Sequence, residues 1–275
     1  MIIPAAISPC PNDTFIFDAL INQRISNDKY QFAFQFLDIE QLNSLAIANT
    51  KGLLKISYHA FLKVHQHYKL LKSGSAMGFG TGPLLVAKKP MDINAVNKAV
   101  IAIPGFNTTA NFLLSYTFPE AVNRKTFCFS DIETAILDNQ VDAGVIIHES
   151  RFTYKEKGLT CIADLGKLWD EAEKTPLPLG GIVMHRSYGD EAITKVESLV
   201  RESAAYAMKN PDVSAGFIKK YAAEMDTETI NKHIRTYVND FSLDMGEEGK
   251  KAVVNFFRAA GKLNLCNPST FDIFA

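Results

Sequence analysis

Two hydrophobic rhythms alternate along the chain. Residues 2–7 form a short apolar run, and Tyr30–Leu37 alternates with Phe32, Phe34 and Phe36 on one face, so both read as strands. Leu53–Ser57, Leu84–Ala87, Ala99–Ile103, Lys125–Phe129, Val145–Ile147, Leu159–Ala163 and Ile182–His185 are further runs of strand length. Helical spacing fills the gaps at Thr14–Gln23, Glu40–Ala48, from the Asn107–Thr108 turn to Phe118, from Ser130 to Gln140, and at Leu165–Glu173. Ser130 and Glu133 have the spacing of a capping box. Asn12 or Asp13 is the expected cap of the first helix. From residue 189 the pattern is helical, at 190–209, 211–223, 227–238 and 247–260.

Strands alternating with helices predict an α/β protein. Two stretches interrupt the alternation: Gly78-Phe-Gly-Thr-Gly-Pro83 and Pro176-Leu-Pro-Leu-Gly-Gly181. Read as crossovers, they divide the chain into one lobe of residues 1–84 plus 180–275 and a second of residues 85–179. The tail 261–275, with Phe271, Ile273 and Phe274, is expected to pack on the first lobe. Two lobes with a hinge make a cleft, where small ligands bind.

Composition narrows the classes. At 275 residues and 47% hydrophobic content, one large or two medium domains can each bury a core. Charge is balanced, 29 basic against 30 acidic residues, which argues against nucleic acid or a membrane surface as partner. The N-terminus has no basic and apolar leader pattern, and no window reaches 18 uninterrupted apolar residues. Cys10, Cys128, Cys161 and Cys266 form no C-x-x-C pair, so they read as reduced thiols of a cytoplasmic protein.

Candidate chemistry clusters at strand ends, beyond which open α/β sheets place their ligands. Ser8-Pro-Cys-Pro-Asn-Asp13 is a stiff polar loop before a helix, either an anion site or a tight structural turn. Lys55 and Ser57 end a strand and suit a carboxylate, with an exposed lysine and a capping serine as the plain alternative. Thr109, Ala110 and Asn111 open a helix whose free N–H groups suit a carboxylate or phosphate. Val145–Ile147 delivers His148 into a loop, where an imidazole can move a proton near neutral pH or simply cap the strand. Glu149 and Arg151 are placed to orient it or to pair with each other. His65-x-His67 lacks a third ligand and lies between Lys63 and Lys69, so no metal site is expected there. The Gly78–Pro83 stretch matches neither phosphate-binding glycine motif, and no cofactor motif occurs.

The chain resembles the 1,4-dihydroxy-6-naphthoate synthases of the alternative menaquinone pathway. The resemblance is carried by Ser8-Pro-Cys-Pro-Asn-Asp-Thr-Phe-Ile-Phe17, Lys55-Ile-Ser-Tyr-His-Ala60, Gly78–Pro83, Pro104-Gly-x-x-Thr-Thr-Ala110 and Gly144-Val-Ile-Ile-His-Glu-x-Arg-Phe-Thr-Tyr154. It spans essentially the whole chain, with Ser150 where a small residue such as Gly is expected. It implies a two-lobe periplasmic-binding-protein-like fold of type 2, with a hinge and an interlobe cleft. It implies a cofactor-free carbon–carbon lyase acting on cyclic dehypoxanthine futalosine, a small-molecule substrate. His148 matches the family's proton acceptor, and Lys55, Ile56, Ser57, Thr109 and Ala110 match its substrate contacts. Ser8 and Asn12 are expected as neighbours of the cleft. The fold alone would favour a binding protein for a small aromatic carboxylate, and the absent leader pattern argues against that role.

Overall fold

The computed structural model describes residues 1–27, 29–222, 226–266 and 272–275. In chain order the strands are β1 (Ile2–Ile7), β2 (Gln31–Phe36), β3 (Leu53–Ser57), β4 (Tyr68–Leu70), β5 (Ala76–Gly78), β6 (Leu84–Ala87), β7 (Ile101–Ile103), β8 (Arg124–Thr126), β9 (Ala143–Ile146), β10 (Thr160–Asp164) and β11 (Leu177–His185). The helices before β11 are α1 (Pro11–Ile21), α2 (Ile39–Ile47), α3 (Tyr58–Val64), α4 (Ile93–Lys98), α5 (Thr109–Thr117), α6 (Ile132–Leu137), α7 (Ser150–Thr153) and α8 (Leu165–Glu173). After it come α9 (Asp190–Lys209), α10 (Pro211–Tyr221), α11 (Thr227–Tyr237), α12 (Asp240–Leu243) and α13 (Gly246–Lys262).

Two sheets result. The first runs β2-β1-β3-β11-β4, with β5 also pairing β11, and the second runs β10-β6-β9-β7-β8. β1 pairs β2 and β3 in parallel, while β11 returns antiparallel to β3, β4 and β5. The chain leaves the first sheet through β5 and comes back into it through β11. These two passages lie side by side, Gly78 opposite Leu177 and Ala76 opposite Gly180. The predicted second Pro/Gly crossover is therefore strand from Leu177 onward. Gly82 and Gly166 cross at the same place, and a Cβ on Gly82 would sit 2.2 Å from the Gly166 Cα. Only glycine permits that approach.

Each sheet buries both faces. Ile3, Ile7, Phe17 and Val200 share a core on one side of the first sheet, Leu84, Val86 and Ile146 one on the second. The largest core joins the two units, with Phe112, Trp169 and Phe256 packed ring on ring. The tail closes on the first sheet as expected: Leu70 N donates to Ile273 O and Ala275 N to Leu70 O. Phe271, and residue 223 at the end of the expected 211–223 helix, lie outside the described residues.

Several local expectations change. Ser130 does not cap a helix, because Phe129–Asp131 is a 3-10 turn and Asp131 occupies the cap position. Glu133 is instead buried and accepts from Ser150 Oγ at 3.0 Å and Lys157 Nζ at 2.6 Å. α3, β4 and β5 were not predicted; their apolar runs are too short to show a period. Among the described residues no helix is long and apolar enough to cross a membrane.

Candidate functional site

The first wall comes from the turn after β1. Pro11 takes the first helical position of α1, where a missing N–H costs nothing. The helix therefore begins at Pro11 rather than Thr14, and Cys10 is its cap residue without a side-chain bond. Asn12 and Asp13, expected as caps, sit inside the first turn. That frees the Asp13 carboxylate. Its Oδ2 accepts from Ser8 Oγ at 2.6 Å, its Oδ1 accepts from Asn12 Nδ2 at 2.8 Å, and Lys55 Nζ lies 3.1 Å from Oδ1.

Lys55 and Ser57 come from β3, all of whose residues are buried. Lys55 Nζ also donates to Gly74 O at 3.3 Å. Ser57 is fixed by Asn43, whose Nδ2 donates to Ser57 Oγ and whose Oδ1 accepts from Ser57 N. Strand alternation sends the intervening Ile56 side chain into the large core. Ile56, expected among the substrate contacts, therefore offers the cavity no side chain.

The opposite wall is the start of α5. Thr108 caps the helix, accepting from Asn111 N at 3.2 Å. The N–H groups of Thr109 and Ala110 have no partner within the helix. The Thr109 hydroxyl is already committed: it donates to Leu179 O at 2.8 Å and accepts from His59 N at 3.4 Å. Beside it His59 is buried, and that burial, aided by Lys63, lowers its pKa to about 4.

His148 follows β9 by two residues, in the left-handed region at φ 55°. For a non-glycine residue that conformation costs about 1–2 kcal/mol. Its ring meets the Phe129 ring edge-on at 5.0 Å and the His233 ring almost parallel at 5.8 Å. Its Nε2 lies 3.8 Å from Cys10 Sγ. Burial raises the Cys10 pKa strongly, so the thiol stays protonated. The contact then reads as a weak S–H donation to Nε2, which leaves the ring proton on Nδ1. Burial also lowers the His148 pKa, against the opposing pull of Glu149, Asp13 and Asp38, while Lys55 reinforces the drop. The imidazole is accordingly neutral at pH 7.

Ser8, Asn12, Asp13, Lys55 and Ser57 line one cavity with Thr108, Thr109, Ala110 and His148. Its volume is about 90 Å³. Seven of the eight candidate residues read from the sequence thus meet in one place, and Ile56 does not. Tyr237 and Gly180 also line the cavity and were missed. Tyr237 and His233 stand four residues apart on α11, a spacing that sets two side chains on one helix face and was available as a signal. Arg151 does not touch His148: its guanidinium donates to Gly80 O, Gly82 O and Asp164 Oδ2, pinning the glycine-rich segment. Glu149 Oε2 is buried without a hydrogen-bond partner among the described residues. His65 ends α3 with Nδ1 on Leu62 O, and His67 is exposed.

A family model described as menaquinone biosynthesis matches residues 3–262. A relative from Thermus thermophilus named 1,4-dihydroxy-6-naphthoate synthase is 41% identical over 267 residues, 97% of each chain. One of the same name from Streptomyces coelicolor is 38% identical over 253 residues, 90% of this chain and 89% of the relative. Among solved structures, the alkanesulfonate-binding protein of Xanthomonas axonopodis pv. citri superposes with a TM-score of 0.70, covering 97% of this chain and 94% of that one. At 10% identity this last likeness carries the fold alone, which is the two-lobe periplasmic-binding-protein-like fold expected from the sequence.

Proposed function

The chain belongs to the menaquinone-biosynthesis family of 1,4-dihydroxy-6-naphthoate synthases, and from that premise we propose that it converts cyclic dehypoxanthine futalosine to 1,4-dihydroxy-6-naphthoate and dihydroxyacetone. In this reading it is a carbon–carbon lyase with His148 as general base. Breaking the bond and aromatising the ring require a proton to leave and negative charge to be held. A half-buried, neutral His148 is in the form that accepts a proton. The substrate displaces the weak Cys10 S–H donor and presents its own C–H or O–H to Nε2. The imidazolium that forms is favoured by Glu149, Asp13 and Asp38. Across the cavity the N–H groups of Thr109 and Ala110 hold the substrate carboxylate, or an oxyanion as charge develops. Lys55 adds a fixed positive charge on the first wall.

The observation that supports this reading most is that His148, Lys55 and the start of α5 line one cavity in a chain whose relatives bear the synthase name. The test is a single turnover of purified protein with the cyclic substrate, followed by ultraviolet detection of the naphthoate. Product formation is expected. Saturable binding with no product would sink the enzyme reading and leave a binding protein.

A further inference from the structure

We propose that His233 is a positioning residue for His148, its flat ring setting the plane in which the base presents its lone pair. The proposal rests on His148 acting as the base. His233 lies on α11, far in sequence from every motif considered above. Its side chain is wholly buried. The two rings lie 5.8 Å apart between centroids and 11° from parallel.

The hydrogen bonds define the state of His233. Asn12 Nδ2 donates to Asp13, so Asn12 Oδ1 is the acceptor that faces His233 Nε2 at 2.9 Å. Nε2 therefore carries the proton. Nδ1 is buried and has no partner among the described residues. A second proton there would be a buried charge with nothing to receive it, so the ring stays neutral. Tyr237, one turn along α11, packs on it at 4.7 Å and wedges it in place.

Nothing on the loop that carries His148 fixes its ring. The Glu149 Oε2 has no hydrogen-bond partner among the described residues, and Arg151 is turned to Gly80, Gly82 and Asp164. The groups facing His148 come from elsewhere: Cys10 and Asp13 near the start of α1, Asp38 at the start of α2, Lys55 on β3 and His233 on α11, besides its neighbour Glu149. Two rings pack on that of His148, Phe129 edge-on at 5.0 Å and His233 at 5.8 Å, and of the two only His233 lies nearly parallel to it. Without His233, water reaches that face of the His148 ring, solvates the imidazolium and lets the ring tilt.

The test compares His233→Phe, which keeps a flat ring, with His233→Leu, which keeps apolar bulk without one. The His148 ring is titrated by NMR in each, with no substrate present. In His233→Leu its titration is expected to move up by about half a pH unit or more, towards the free imidazole. The turnover number is expected to fall about tenfold or more with the Michaelis constant changed less than about threefold. His233→Phe is expected to keep both near wild type. An unmoved titration in His233→Leu, or equal losses in the two variants, would overturn the proposal. Cross-relaxation between the His148 and His233 ring protons in the wild-type protein needs no variant, and its absence would also overturn it. Because the titration needs no turnover, a wild-type protein that makes no naphthoate defeats the proposed function separately.

Discussion

Asp13 and Lys55 form an ion pair at 3.1 Å in which the side chains are 1% and 4% exposed. Neither group has water to fall back on, so each depends on the other and on the Ser8, Asn12 and Gly74 hydrogen bonds around them. Removing one partner of such a pair is far more costly than removing both. Lys55→Met is therefore expected to destabilise the protein by about 3–5 kcal/mol in chemical denaturation. Adding Asp13→Asn to it should recover part of that loss. Equal stability of the single and double variants would show the pair to be uncoupled.

His148→Asn keeps a polar side chain of similar reach and removes the base. It is expected to lose turnover by about a hundredfold or more, the scale of general-base loss, while substrate binding changes little. A retained rate places the base elsewhere. In the wild-type enzyme the acid limb of activity should lie below the usual imidazole value, because burial lowers the His148 pKa.

Thr109→Val tests a role that the tertiary contacts changed. As a substrate hydrogen-bond donor, Thr109 would show its loss in the Michaelis constant. Its proton goes to Leu179 O, so the expected effect is a stability loss of about 1 kcal/mol with the Michaelis constant little altered. Thermal melting beside steady-state kinetics separates the two, and a large rise in the Michaelis constant at unchanged stability would return Thr109 to the substrate.

Histidines with lowered pKa values, His59, His148 and His233 among them, make stability fall with acid. His59, with its pKa lowered to about 4, and His148 and His233, also lowered, all bind protons more readily in the unfolded chain. Their contribution is fully present above about pH 6.5 and is lost as pH falls towards the folded values. For His59 the loss between about pH 6.5 and 4 is on the order of 3 kcal/mol. Denaturation midpoints across this range should drop, and His59→Phe should flatten the slope. A slope unchanged in that variant would remove His59 from the account.

By itself the sequence determined which segments are strands and helices where a period runs long enough to show, as in α9 and β1. It also determined that polar groups collect at strand ends, since an apolar run that breaks into Lys, Ser or His must deliver them into a loop. The motifs at residues 8–17, 55–60 and 144–154 carried the family. Tertiary structure decided what each side chain meets. Pleating turned Ile56 away from Lys55 and Ser57. The Leu179 carbonyl occupied the Thr109 hydroxyl. Pro11 moved the start of α1 and released Asp13 towards Lys55. The partners of His148 come from residues 138 positions before it and on a helix well after it, and no local pattern encodes that meeting. Spacing along a chain fixes which way neighbours point, whereas the faces that come together depend on how two sheets and the C-terminal helices pack.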